Sequence, residues 1–150
     1  MPMVGHIAET GQVIACDFRP GNASPARENL EFIQQCEQSL PDECFIQSLR
    51  IDAAGYQEEI IKHCDRRSIN YAIRAKMNAA VKEQIDSLTD ADWQPLLNKQ
   101  GKEVENQDAC RIIHWIGKYE KPFTLIIQRT QIKGQSELDL GDDNTSEEVC

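Results

Sequence analysis

The chain has 150 residues, 40% of them hydrophobic, and this length is typical of one domain or part of one. Its formal net charge of -9 at pH 7 argues against the basic electrostatic footprint that a nucleic-acid-binding domain commonly shows. There is no apolar run of about 18 residues. The amino terminus also lacks the layout of a secretory signal, so we expect a soluble, cytoplasmic protein.

The charge is distributed unevenly along the chain. From Gly134 onward there are six acidic residues and no Lys or Arg, and without them 16 basic residues face 19 acidic ones. Between Arg50 and Lys82 the balance reverses, with seven basic and four acidic residues. This local excess of three positive charges permits a phosphate-facing surface, and it is equally compatible with a solvated surface of mixed charge.

Six cysteines are spread along the chain at positions 16, 36, 44, 64, 110 and 150. No C-x-x-C motif and no pair of histidines at zinc-ligand spacing accompanies them, so neither a zinc site nor a disulfide framework is indicated. We expect buried or incidental reduced thiols. The three histidines, His6, His63 and His114, also share no ligand spacing, and we expect them on the surface or in satisfied core positions.

The first 40 residues predict a β-hairpin followed by a helix. The segments MVGHIAE and QVIACDF, within residues 3–18, are joined by Thr10 and Gly11, where Gly can adopt a positive φ. After the loop RPGNASP, Ser24 is placed as an N-cap and Pro25 as the first helical residue. Apolar residues then recur at helical spacing up to Pro41: Ala26, Leu30, Ile33, Cys36 and Leu40.

The next segment predicts a buried parallel strand with a carboxylate at its end. Apolar positions in residues 45–51 suit a strand that is covered on both faces, and Asp52 follows it. Ligands collect at this end of the strands in open α/β sheets. Glu58 and Glu59 then begin a helix with the apolar residues Ile60, Ile61 and Cys64, and residues 71–76 alternate as a second strand.

The α/β alternation stops after residue 77. A helix headed by Asn78 is expected, then a polar loop as far as Asp108, and then two antiparallel strands over residues 110–116 and 123–129. The acidic residues 134–150 are expected to form a flexible tail. We therefore divide the chain into residues 1–77, 78–133 and 134–150.

Two motifs in this order resemble those of a known protein family. The tetrapeptide RPGN (residues 19–22) and the stretch RIDAAGYQ (residues 50–57), together with INYAIRAK, AAVKEQI, a Trp at 93 and FTLIIQR, are similar to DDE transposases of bacterial insertion sequences. The similarity covers roughly residues 5–130, in the group with a β-rich insertion in its catalytic domain. It implies a ribonuclease-H-like α/β fold, here incomplete, followed by the β-rich insertion and the acidic tail.

The resemblance also implies a catalytic role for Asp52. Such transposases cut and join DNA with two divalent metal ions about 4 Å apart, Mg²⁺ or Mn²⁺, held by two Asp and one Glu. Asp52 matches the second carboxylate, whereas the first Asp is expected before Met1 and the Glu after Cys150. The isolated chain is then an internal fragment that binds metal weakly and has no nuclease activity. The alternative role of Asp52 is a helix N-cap or loop carboxylate.

The resemblance further implies a folding consequence and DNA as the partner of the parent protein. The first strand of the ribonuclease-H-like sheet would lie between the hairpin and residues 45–51, so its absence leaves unpaired edges and favours self-association. Arg19 and Asn22 are candidate DNA contacts, with turn chemistry as the alternative. Arg74 and Lys76, on one face of their strand, are further candidates. Trp93 and Trp115 are expected to pack rather than to stack on bases.

Two other functions remain open. The chain could be an inactive remnant without function, or one that associates with a full-length transposase through residues 110–130. An unrelated small-molecule α/β enzyme is disfavoured, because no Gly-rich phosphate loop or nucleophile motif is present.

Overall fold

The computed structural model describes residues 2–22, 24 and 26–131, and the backbone of residues 145–149. The chain forms two compact units, Met1–Ile73 and Arg74–Cys150. Along the described part of the chain, no helix has the length and apolar character needed to cross a membrane.

The first unit begins with the predicted hairpin. Strands β1 (Pro2–His6) and β2 (Val13–Phe18) pair in antiparallel register, with Val4 opposite Cys16. Gly11, in the connecting turn, has a φ of 71°, a conformation in which a glycine carries no steric penalty. One face of the hairpin contributes Met3 and Ala15 to the hydrophobic core, and the hairpin prediction is confirmed.

Helix α1 (Asn29–Gln38) starts later than the sequence predicts. The expected N-cap, Ser24, lies before a turn, and Pro25 falls outside the described residues. The true N-cap is Glu28, in the left-handed conformation with a φ of 55°, which interrupts the helix before Asn29. Phe32 and Cys36 of α1 are buried against Ala15 of β2.

The predicted parallel strands are present. Strand β3 (Ser48–Ile51) pairs in parallel with β4 (Asn70–Ile73), and Ile51 lies opposite Ile73. Helix α2 (Glu58–Arg67) connects them, as expected for a βαβ unit. The predicted strand over residues 45–51 is shorter than expected, since Phe45 is 77% exposed and lies outside it.

Helix α2 supplies the most deeply buried residues of the first unit. Ile60, Ile61 and Cys64 are at most 1% exposed, and burial raises the pKa of the Cys64 thiol to about 11. Glu37 of α1 joins the two helices, because its carboxylate lies within hydrogen-bond distance of His63 at 3.1 Å and forms an ion pair with Arg67 at 3.4 Å, both on α2. The buried thiols expected from the sequence are thus observed at Cys64, and also at positions 36 and 110.

The strands of the first unit belong to two separate sheets, β1 with β2 and β3 with β4. Among the described residues, no strand joins the two sheets. The mixed α/β class is confirmed by this arrangement of helices and small sheets. The ribonuclease-H-like strand order remains a prediction.

The second unit contains helix α3 and a four-stranded antiparallel sheet. Helix α3 (Ala79–Asp86) is capped as predicted, because the Asn78 side chain accepts a hydrogen bond from the Val81 amide at 3.0 Å. The sheet has the order β5 (Gln94–Leu97), β6 (Glu103–His114), β7 (Phe123–Gln131) and β8 (Thr145–Val149).

This sheet is larger than the sequence predicts. The segment expected to be a loop before Asp108 contains β5 and the first residues of β6. These residues are polar, and β5 is an edge strand that contains Pro95, so the sequence lacks the alternating apolar pattern that predicts a strand. Residues 134–144 of the expected flexible tail lie outside the described residues, and residues 145–149 form β8 against β7. Arg74 and Lys76 are not in a strand, since β4 ends at Ile73.

Arg129 on β7 links separate segments of this unit. Its Nε lies 2.9 Å from Asp108 of β6, and its guanidinium lies 4.4 Å from the centroid of the Trp93 ring. Trp93 therefore packs as predicted. Trp115, by contrast, is 51% exposed, so the packing predicted for it from the sequence is not observed.

We predict that Gly55→Ala destabilises the first unit. A Cβ atom at position 55 would lie 2.4 Å from Cγ2 of Ile51, so either the Ile51 side chain or the turn must move. We expect a loss of about 1 to 3 kcal/mol in the free energy of unfolding, measured by urea denaturation. Gly21→Ala is the matched control, because nothing lies within 4 Å of the added Cβ and its φ is not positive. Equal stability of the two variants would contradict this packing.

We also predict that His114 makes the stability of the second unit depend on pH. Burial lowers the pKa of His114 from its usual value of 6.5, so the unfolded chain takes up a proton at a higher pH than the folded chain does. The contribution of His114 to the free energy of unfolding is therefore constant above about pH 6.5, and it decreases as the pH falls below about 6.5. Thermal melts at a series of pH values should show this decrease, and His114→Leu should reduce it. An unchanged pH profile in His114→Leu would refute the assignment.

Candidate functional site

Asp52 is placed by the end of a parallel strand and the start of a tight turn. It follows Ile51, the last residue of β3, and precedes a short 3₁₀ helix (Ala53–Gly55). Gln57 then acts as the N-cap of α2. The carboxylate thus stands at the carboxyl end of a strand, where α/β proteins commonly bind ligands.

The Asp52 carboxylate is ordered by its own turn and remains exposed. Its Oδ1 accepts a hydrogen bond from the Ala54 amide at 2.9 Å, so Asp52 is the N-cap of the 3₁₀ helix. Within the described part of the chain, no hydrogen bond or ion pair reaches Oδ2. The capping role and a ligand role are therefore compatible, because one oxygen orders the side chain while the other remains available.

The described residues of this site supply one ligand for a divalent metal ion. Mg²⁺ and Mn²⁺ favour oxygen ligands, and an exposed carboxylate at a strand end supplies one. Among the described residues, no group of three or more His, Cys, Asp or Glu side chains could hold a metal ion. Asp52 offers one carboxylate, which is fewer than the ligands that a divalent ion needs.

Arg19 is buried beside this turn rather than directed to solvent. Its side chain is 7% exposed, and its Nε donates to Asp17 at 3.0 Å. Its two terminal nitrogens donate to the Arg27 and Glu28 carbonyls and to Oδ1 of Asn29. This arrangement gives Arg19 a structural role, and contact with a DNA phosphate would require it to leave these partners.

Two amide side chains near Asp52 were given no role by the sequence analysis. Asn29 is only 2% exposed, and its Nδ2 donates to the Ala54 carbonyl at 3.0 Å. Gln57 donates from Nε2 to the Ala54 carbonyl at 2.7 Å and to the Ala26 carbonyl at 2.9 Å. Gln57 lies inside the RIDAAGYQ motif, so the sequence offered a reason to consider it a site residue. Asn29 is in no such motif, because its contacts are with residues distant in sequence.

The other candidate residues have exposed side chains. Asn22 is exposed in the turn after Pro20. Arg74 and Lys76 are exposed on either side of the buried Ala75, in the segment that follows β4. The alternation of exposure expected from the sequence is thus present, although it occurs outside a strand.

Comparison with known proteins identifies the family. No curated protein and no solved structure matches the chain significantly. The sequence model of the family described as "Transposase DDE domain group 1" matches residues 1–129, which is most of the chain. The chain therefore belongs to the transposase DDE domain family, group 1.

Proposed function

We propose that this chain is a part of a DDE transposase catalytic domain and that Asp52 is one of the carboxylates that bind its metal ions. Family membership indicates a function in DNA transposition, with DNA as the partner of the parent protein. The observation that supports a role for Asp52 is its exposed carboxylate at the end of β3, ordered through Oδ1 by the Ala54 amide.

The proposed parent reaction is metal-dependent DNA cleavage and strand transfer. DDE domains generally use divalent metal ions, which activate the attacking water or hydroxyl and stabilise the leaving oxygen. Mg²⁺ is the proposed physiological ion, with Mn²⁺ as a substitute. Asp52 would contribute one carboxylate oxygen, and the two other carboxylates would come from outside residues 1–150.

The separate sheets of the first unit support this proposal of a partial domain. Strands β1 and β3 each pair on one side only within the described residues. A further strand between them would join the sheets, and in its absence such edges favour association with other chains. We propose self-association of the chain on this ground.

The proposed DNA contacts are Asn22, Arg74 and Lys76. All three side chains are exposed, and none of them has a hydrogen bond or ion pair among the described residues. The two cations carry the charge needed to bind phosphate. Arg19 is the weaker candidate because its guanidinium is buried among protein acceptors.

We predict that Mn²⁺ binds the chain at Asp52 weakly and locally. In an NMR titration of the 150-residue chain, paramagnetic Mn²⁺ should broaden the amide signals of residues 52–55, because it would lie next to the Asp52 carboxylate. Asp52→Asn keeps the capping oxygen but removes the charge, and it should abolish this broadening without changing the thermal melt. Equal broadening in Asp52→Asn would refute the metal assignment. Broadening of amide signals near other acidic residues is counted as separate Mn²⁺ binding and not as binding at Asp52.

The second candidate function is association with an intact transposase through residues 110–130. The specific observation is two exposed apolar side chains on one face of β6 and β7, Ile113 (52% exposed) and Ile126 (44% exposed), with the 51% exposed Trp115 directly after β6. Apolar groups concentrated on one sheet face are typical of interaction surfaces. The proposed occupant is the catalytic domain of a transposase of the same family.

We predict that Ile113→Lys combined with Ile126→Lys weakens this association at least about tenfold, because two charges are placed in an apolar contact. The association is measured by pull-down of an intact transposase with the tagged chain. Lys118→Ala, an exposed change outside the apolar face, is the control. Undiminished capture by the double variant, or no capture by the unchanged chain, would exclude the interaction function.

A further inference from the structure

The Asp52 carboxylate depends on a single residue, Ala54, which is held on both sides. The Ala54 amide donates to Oδ1 of Asp52 at 2.9 Å, and the Ala54 carbonyl accepts from Asn29 at 3.0 Å and from Gln57 at 2.7 Å. A shift of Ala54 would therefore move the hydrogen bond that orients Asp52. The two amide side chains fix the turn from α1 and from the start of α2.

Arg19 determines how the Asn29 amide is oriented. Its Nη1 donates to Oδ1 of Asn29 at 2.9 Å, which leaves Nδ2 as the atom that faces the Ala54 carbonyl. The position requires an acceptor on one side and a donor on the other, and a primary amide provides both in one rigid group. Neither a carboxylate nor a hydrocarbon of similar size can satisfy both neighbours at once.

Gln57 serves a related purpose from the other end of the turn. Its Nε2 donates to two carbonyls that are far apart in sequence, Ala26 before α1 and Ala54 in the 3₁₀ helix. The Gln57 amide thus ties the Asp52 turn to the segment that precedes α1. If Gln57 lost its N–H donor, the carbonyl oxygens of Ala26 and Ala54 would each lose a hydrogen bond.

We propose that Asn29 and Gln57 are positioning residues for Asp52, holding Ala54 so that the carboxylate is presented in one orientation. The inference rests on the proposed metal-binding role of Asp52. Groups that orient a metal ligand through hydrogen bonds raise its affinity, because the ligand does not have to be ordered when the ion binds. The hydrogen bonds of both side chains go to Ala54 and to Arg19 or Ala26, and not to the Asp52 carboxylate, so each acts on Asp52 through Ala54.

The test uses two near-isosteric variants of the 150-residue chain, Asn29→Asp and Gln57→Glu. Each replaces an N–H donor with a carboxylate oxygen that faces the Ala54 carbonyl, and oxygen–oxygen repulsion should release the turn. The readout is hydrogen exchange of the Ala54 amide, which reports its bond to Asp52. We expect exchange about tenfold faster in both variants, the factor that corresponds to the net contribution of about one hydrogen bond. Unchanged exchange in both would overturn the proposal.

A matched control separates positioning from general loss of stability. Ile33→Val removes one buried methylene group from α1, where Ile33 is 4% exposed, and leaves the hydrogen-bonding groups of the Asp52 turn unchanged. It should lower the thermal midpoint while leaving Ala54 exchange unchanged. If Ile33→Val accelerates that exchange as much as Gln57→Glu does, the effect is global and the positioning role is refuted. If Asn29→Asp does not fold, the hydrogen exchange of Gln57→Glu alone tests the proposal. Gln57 is only partly buried, so the charge introduced by Gln57→Glu remains in contact with solvent.

The Mn²⁺ titration adds the functional readout and distinguishes the two proposals. With the unchanged chain as reference, Gln57→Met, which removes the donor without adding a carboxylate, should need about tenfold more Mn²⁺ for equal broadening of residues 52–55. Unaltered Mn²⁺ affinity with faster Ala54 exchange would overturn the positioning role and leave the metal role of Asp52 intact. Absence of local broadening in the unchanged chain would overturn the metal role, and with it any positioning of a metal ligand.

Discussion

The buried guanidinium of Arg19 is the interaction on which the first unit depends most. It lies where the hairpin ends and the chain enters α1, and it satisfies two backbone carbonyls, the Asn29 amide and Asp17. A planar group with five donors suits such a junction, since each acceptor approaches from a different direction. It also accounts for Glu28, whose left-handed conformation directs its carbonyl to Arg19 and delays the start of the helix.

Local patterns in the sequence predicted the elements but not the long-range network. The hairpin, the parallel strand pair and the Asn78 cap each follow from residues close together in the chain, and each is present. Asp52 was recognised because strand, carboxylate and turn are adjacent. The contacts of Asn29 and Arg19 depend on tertiary packing, and periodicity carries no information about them.

The errors also have physical causes. Ser24 and Pro25 form a normal helix-start signal, but Arg19 holds the two carbonyls before Asn29 in a non-helical arrangement. Strand β5 and the first part of β6 are polar because much of their surface is exposed, and their pairing is backbone-driven. In the second unit Arg129 resembles Arg19 in joining distant segments, here through Asp108 and the Trp93 ring.

The Asp52 turn has a consequence for the order of folding. The hydrogen bond from Asn29 to the Ala54 carbonyl joins residues 25 apart in sequence, and the bond from Gln57 to the Ala26 carbonyl joins residues 31 apart. Contacts of this range form only after the intervening chain has been closed into a loop, which is entropically costly and slow compared with forming a local turn. Docking of α1 must therefore precede these two bonds, and a peptide limited to β3 and α2 would keep the local bonds of Ala54 to Asp52 and Gln57 but lack the support from Asn29 and Ala26.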